Sequence, residues 1–204
     1  MAQPLLIKII SKMIFISVNP FALKRFFFFL LAAIGFSCVS CLGETILLNV
    51  KSTPYDKQMS RVRPVLVCGS PLGEAEISMG MVNYWIGNLR SIPYGFTKEW
   101  KTPAETQSGA PADCKAKAVA LYETMQAHGA TKLRLVIGKR ATTSRSTHAW
   151  LEWETESGVY VLDPTINWRA YRGSDVGRRS YIPLYAFERS RKFRAVPAAL
   201  LAQN

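Results

Sequence analysis

Residues 148–165 read His148-Ala149-Trp150-Leu151-Glu152-Trp153-Glu154-Thr155-Glu156-Ser157-Gly158-Val159-Tyr160-Val161-Leu162-Asp163-Pro164-Thr165. Two runs rich in β-branched and aromatic residues flank Glu156-Ser157-Gly158, which predicts a hairpin with a tight turn. If Thr155 pairs with Gly158, Trp150 faces Asp163 and His148 faces Thr165. Any register with an even-numbered loop keeps His148 and Asp163 on one face as direct or diagonal neighbours. A carboxylate placed there holds an imidazole in one tautomer and stabilises its protonated form. A lone strand histidine is usually structural, and a lone Asp-Pro usually marks a turn. Their shared face raises both above those readings.

A thiol stands upstream in Ala112-Asp113-Cys114-Lys115. Asp113 reads as an N-cap, and the helix it opens runs from Cys114 to His128, closed by Gly129. In a first turn, unpaired N–H groups and the positive end of the helix dipole favour a thiolate, and Lys115 adds positive potential. The chain has only two histidines. His128 lies at the far end of the same helix, about 21 Å from Cys114 at the usual rise, and suits a C-terminal cap. His148 is therefore the base available to Cys114, with Asp163 to orient it. The Cys114 N–H is expected to serve an oxyanion hole, with the Trp100 indole as its second donor; a core tryptophan is the competing reading.

The elements around these residues predict an α+β domain with helices first and an antiparallel sheet after. A helix is expected from Glu74 to about Ser91, with Ile77, Met81, Tyr84, Trp85 and Leu89 on its apolar face, stopped by Pro93. Thr102-Pro103-Ala104-Glu105 reads as a capping box opening a short helix. Strand-like runs cover Leu133–Gly138, His148–Glu154 and Val159–Leu162. Residues 44–60 are expected to be an irregular arm, and Cys68 a buried thiol in a β-like run. Glu152 shares the face of His148 and is expected to be solvated or paired with an arginine. No cysteine–histidine cluster has zinc spacing, no glycine-rich phosphate loop occurs, and no serine has a nucleophile elbow. Neither a metal nor another cofactor is expected.

The N-terminus carries an uncharged segment, residues 26–42, directly after Lys24 and Arg25. Its apolar part, to about Phe36, has signal-peptide length and is short for a membrane span, and small residues follow. Residues 1–43 are thus expected to be a signal peptide or membrane anchor, with Met13 an alternative start to Met1. Domain limits follow: an arm over 44–70, the functional domain over 71–195 and a tail over 196–204. Removing the leader leaves Cys68 and Cys114, which an oxidising compartment can link, the structural alternative for Cys114. It also leaves 22 basic against 14 acidic residues, with Arg169, Arg172, Arg178, Arg179, Arg189, Arg191, Lys192 and Arg194 clustered late. That surface suits an anionic envelope partner or simply solubility, and no motif points to nucleic acid.

Several further stretches fit the same frame: Asn83-Tyr84-Trp85-Ile86-Gly87-Asn88-Leu89-Arg90-Ser91-Ile92-Pro93-Tyr94, Trp100-Lys101-Thr102-Pro103-Ala104-Glu105, Asp113-Cys114, His148-Ala149-Trp150 and Leu162-Asp163-Pro164-Thr165. With these the chain resembles the transglutaminase-like superfamily, in particular the bacterial transglutaminase-like cysteine proteinases, over roughly half its length. The resemblance implies a papain-like, transglutaminase-core fold with Cys114, His148 and Asp163 as catalytic triad and a protein or peptide substrate. Two departures stand out. Ala112 replaces the usual glycine, and Lys115-Ala116-Lys117 replace acids that help calcium-dependent members bind their ion. A role in calcium binding does not carry over to a lysine. The expected activity is that of an exported peptidase working through a thioester. A transglutaminase or glutamine deamidase uses the same intermediate, and an inactive binding domain would keep the fold alone.

Overall fold

The computed structural model describes residues 45–69, 76–177 and 180–201. The expected leader, Glu74, Arg178 and Arg179 lie outside them. The organising element is the helix that begins at the cysteine. Asp113 has extended backbone, and its Oδ1 accepts from the Ala116 N–H at 3.1 Å, so the helix starts at Cys114 and ends at Ala127. Alanine at 116, 118 and 120 favours the helix and keeps it thin. It is buried nearly all round through Ala116–Tyr122 and Met125, as expected of a helix enclosed by other elements. Gly129 ends it at φ 93°, a left-handed conformation natural to glycine, while His128 caps through Nδ1, 2.7 Å from Thr124 O.

We name the helices α1 (Arg63–Cys68), α2 (Met79–Ser91), α3 (Pro103–Gln107) and α4 (Cys114–Ala127), and the strands β1 (Thr45–Asn49), β2 (Leu133–Ala141), β3 (His148–Thr155), β4 (Gly158–Leu162), β5 (Tyr171–Arg172), β6 (Ser180–Glu188) and β7 (Arg191–Pro197). The strands form one antiparallel sheet in the order β1-β7-β6-β2-β3-β4-β5. In the β3–β4 hairpin Thr155 pairs with Gly158 and Leu151 with Leu162, the register expected from the sequence. The pleat divides the sheet. Leu133, Leu135, Ile137, Ala149 and Leu151 pack toward α4, Val82 and Ile86. Val136, Trp150, Val161, Tyr181 and Ala186 make a smaller cluster of their own.

Three expectations are corrected, and the strands after residue 170 are new. Residues 44–60 are not all irregular: Thr45–Asn49 is an edge strand on β7, mostly exposed and paired on one side only. Cys68 is neither in a strand nor buried. Pro64 stands in the first turn of α1, Val62 and Leu66 are buried four residues apart, and that spacing carries Cys68 to the exposed side. In α2 the buried stripe is Val82, Ile86 and Leu89, with Ser78 capping the Met81 N–H at 3.2 Å, while Tyr84 is exposed. The strands after residue 170 were not foreseen. In β6, Ile137 pairs with Tyr185 but Gly138 with Pro183, a bulge that accommodates a proline. The capping box at Thr102–Glu105 is present with both reciprocal bonds.

Candidate active site

Cys114 is the first residue of α4, its side chain at the floor of a cleft of about 270 Å³ lined also by Tyr94, Phe96, Trp100, Lys115 and His148. Ala116 N bonds the Asp113 side chain and Lys117 N the Asp113 carbonyl, while the Cys114 N–H bonds to nothing among the described residues. Asp113 itself is fully buried. Its Oδ2 accepts from Thr97 N at 3.2 Å and from the ammonium of Lys115, which also donates to Thr97 O at 2.9 Å. Gly95 N and Ala112 N bond Ala112 O and Pro93 O, completing the tie between the loop over residues 93–100 and the start of α4. Lys117 points the other way. It is buried, donates to Ile92 O, and has its pKa lowered by desolvation and then by Arg90.

At the far wall, His148 Nε2 lies 2.8 Å from Asp163 Oδ2. With Nε2 so engaged, Nδ1 is the ring nitrogen left for the thiol. Burial opposes a charge on His148, but the Asp163 hydrogen bond and the nearby Cys114 sulfur outweigh it and raise its pKa to about 9. Asp163 has no exposed surface, and burial alone would push its pKa up. Its pKa is lowered instead by His148, by the Thr165 N–H at 3.0 Å and by the Tyr181 hydroxyl at 3.0 Å. The loop after Asp163 turns back on itself through Asn167 N to Asp163 O at 2.9 Å and is fastened to α2 by Ala170 N to Asn83 Oδ1 at 2.8 Å. His148 stacks on Trp150 with ring centroids 6.2 Å apart. Opposite His148 is Gly138, where a Cβ would meet Ile182 O at 2.1 Å and Trp150 at 2.5 Å. Only glycine fits there.

Trp100 is 2 % exposed and lines the cleft, and its Nε1 is buried with no hydrogen-bond partner among the described residues. A buried indole N–H without an acceptor is costly unless something arrives to accept it. Glu152 lies 3.7 Å from Arg134, the arginine partner anticipated for it, and burial raises its pKa. Cys68 and Cys114 are both free thiols. The residues present do not suit calcium. The carboxylate next to Cys114 is Asp113, whose oxygens are already taken, and a divalent ion there would meet the Lys115 ammonium. No cluster of three His, Cys, Asp or Glu able to hold a metal occurs among the described residues. Sequence reasoning missed Tyr181, which reaches Asp163 from β6.

The fold is α+β, a seven-stranded antiparallel sheet with helices packed against it, of the transglutaminase-core type. Among solved structures it is similar to LapG of Legionella pneumophila. The calcium-bound form has a TM-score of 0.51 at 17 % identity over 70 % of this chain and 81 % of LapG. The EGTA-treated form has a TM-score of 0.50 at 16 % identity over 74 % and 87 %. At such identities the likeness is one of fold. No family model matches the sequence, and no curated protein matches it.

Proposed function

We propose that this chain is an exported cysteine peptidase that cleaves protein or peptide amide bonds through a thioester. Cys114 is the nucleophile, His148 the acid and base, and Asp163 the residue that orients and charges the imidazole. The observation that carries the reading is the 2.8 Å His148–Asp163 pair, whose His148 lines the same cleft as a cysteine at a helix start. The thiol proton passes to His148, leaving a thiolate–imidazolium pair. Sulfur attacks the carbonyl carbon, and the developing oxyanion is met by the Cys114 N–H and the unpartnered Trp100 Nε1–H. His148 then gives its proton to the leaving amine as the C–N bond breaks. Water, deprotonated by His148, attacks the thioester. A carboxylic acid leaves and the thiol is restored.

Export rests on the uncharged segment at residues 26–42 after Lys24 and Arg25, which is why residues 1–43 are assigned to a leader or anchor. Among the described residues no helix is long and apolar enough to cross a membrane. The late cluster of arginines suits contact with an anionic envelope surface. The test is purified protein incubated with denatured protein substrate and a labelled primary amine, products read by mass spectrometry. New peptide termini, absent with Cys114→Ala, support the peptidase. Amine incorporated at glutamine in place of cleavage makes the enzyme a transferase, and no product of either kind overturns the reading.

A further inference from the structure

A second buried side chain grips the carboxylate that orients His148. Tyr181 is 8 % exposed and donates its hydroxyl to Asp163 Oδ2 at 3.0 Å, the same oxygen that His148 Nε2 meets at 2.8 Å. The tyrosine oxygen in turn accepts from Asn167 Nδ2 at 2.8 Å, which aims its proton at the carboxylate. Two further contacts hold the ring. Arg140 lies over it at 3.9 Å from the centroid, and Trp150 packs edge-on at 5.3 Å. Trp150 is also the ring on which His148 stacks, so the imidazole and the tyrosine share one support. The backbone of Tyr181 has φ 56°, a left-handed conformation that bulky residues avoid. Strain of this kind persists where surrounding contacts over-determine the position, and it clusters at functional sites.

We propose that Tyr181 is a positioning residue for the thiol chemistry, a hydroxyl aimed by Asn167 that fixes Asp163 and through it His148. The proposal rests on the functional reading above. Asp163 has no exposed surface, so no solvent replaces a lost donor. Without the tyrosine proton the carboxylate is freer to turn, and the imidazole loses its fixed partner. The role is one of geometry and charge placement, since Tyr181 is not among the residues lining the cleft over Cys114.

The test is the alkylation rate of Cys114 by iodoacetamide at mildly acidic pH, which needs no peptide substrate. Four chains are compared: wild type, Tyr181→Phe, Asp163→Asn and the double variant. Tyr181→Phe is expected to slow alkylation roughly tenfold, the size of a charge-assisted hydrogen bond, and to add nothing in the Asp163→Asn background. An equal loss in both backgrounds, or no loss in either, overturns the proposal. Thermal unfolding and near-UV circular dichroism check that each variant is folded. Should Tyr181→Phe not fold, Asn167→Ala is read in its place, with slowing expected, and an unchanged rate overturns the proposal. A wild-type rate no faster than that of glutathione at the same pH removes the functional reading itself. A fast wild type with unchanged Tyr181→Phe removes only the role of Tyr181.

Discussion

Two aspartates stand on either side of the candidate nucleophile, both without exposed surface, and they do different things. Asp113 gives its oxygens to backbone N–H groups of Ala116 and Thr97 and to the neighbouring Lys115. Its partners are fixed parts of the frame, and it locks the loop over residues 93–100 to the start of α4. Asp163 gives one oxygen to a backbone N–H and the other to an imidazole and a phenol. Its principal partner can gain and lose a proton. Burial and residue type are the same in both. What separates them is the partner: Asp163 holds the imidazole that faces the candidate nucleophile's cleft, and Asp113 holds backbone and a lysine.

The largest effect that tests this contrast is expected at Asp163. Asp163→Asn keeps the shape but removes the charge, and turnover is expected to fall on the order of a thousandfold, with KM little changed. The alkaline side of the activity profile sharpens the point. His148 has a folded pKa of about 9, above its ordinary 6.5, so its protonated form and the stability it adds are present below pH 6.5 and lost as pH rises through 9. In Asp163→Asn this limb is expected to move to lower pH, and in Asp113→Asn to stay. Movement in both would erase the distinction.

On the Asp113 side the proposed oxyanion donor is the indole of Trp100. Trp100→Phe keeps most of the packing and removes the donor, so turnover is expected to drop roughly a hundredfold. Unchanged turnover would make Trp100 a core residue and leave the Asp113 side purely structural. Asp113→Ala should act on stability instead, by about 2 kcal/mol for the lost cap and the stranded lysine. A melting curve reads it, and activity of the folded fraction should stay near wild type. The smallest effect is calcium dependence. Chelator and added calcium are expected to give the same activity, because Lys115 occupies the carboxylate an ion would need. A sharp loss on chelation, restored by calcium, would mean that other residues bind it.

The parts of the molecule legible in its sequence are those set by neighbours along the chain. Asp113 with the helix behind it, the Thr102–Glu105 box and the Thr155–Gly158 hairpin are local patterns, and each has the expected geometry. His148 and Asp163 meet because the hairpin register fixes their face. What was not legible depends on distant partners. β6 hides behind Pro183, tolerated only because a bulge opposite Gly138 absorbs it. Tyr181 contacts a residue eighteen positions away from a strand with no alternating signal. Residues 63–68 are a short apolar run that reads equally as strand or helix, and Val62 and Leu66 decide it through packing.

The edge strand β1 carries a consequence for how the molecule is made. Thr45 pairs with Pro197, Leu47 with Ala195 and Asn49 with Phe193. Among the described residues the first strand therefore pairs with the last, and that pairing has to await the segments between them. Until then β1 lacks its partner, and it follows in sequence the uncharged stretch at residues 26–42. Pairings so distant in sequence close slowly, so the β1 edge is expected to be the last part of the sheet to form.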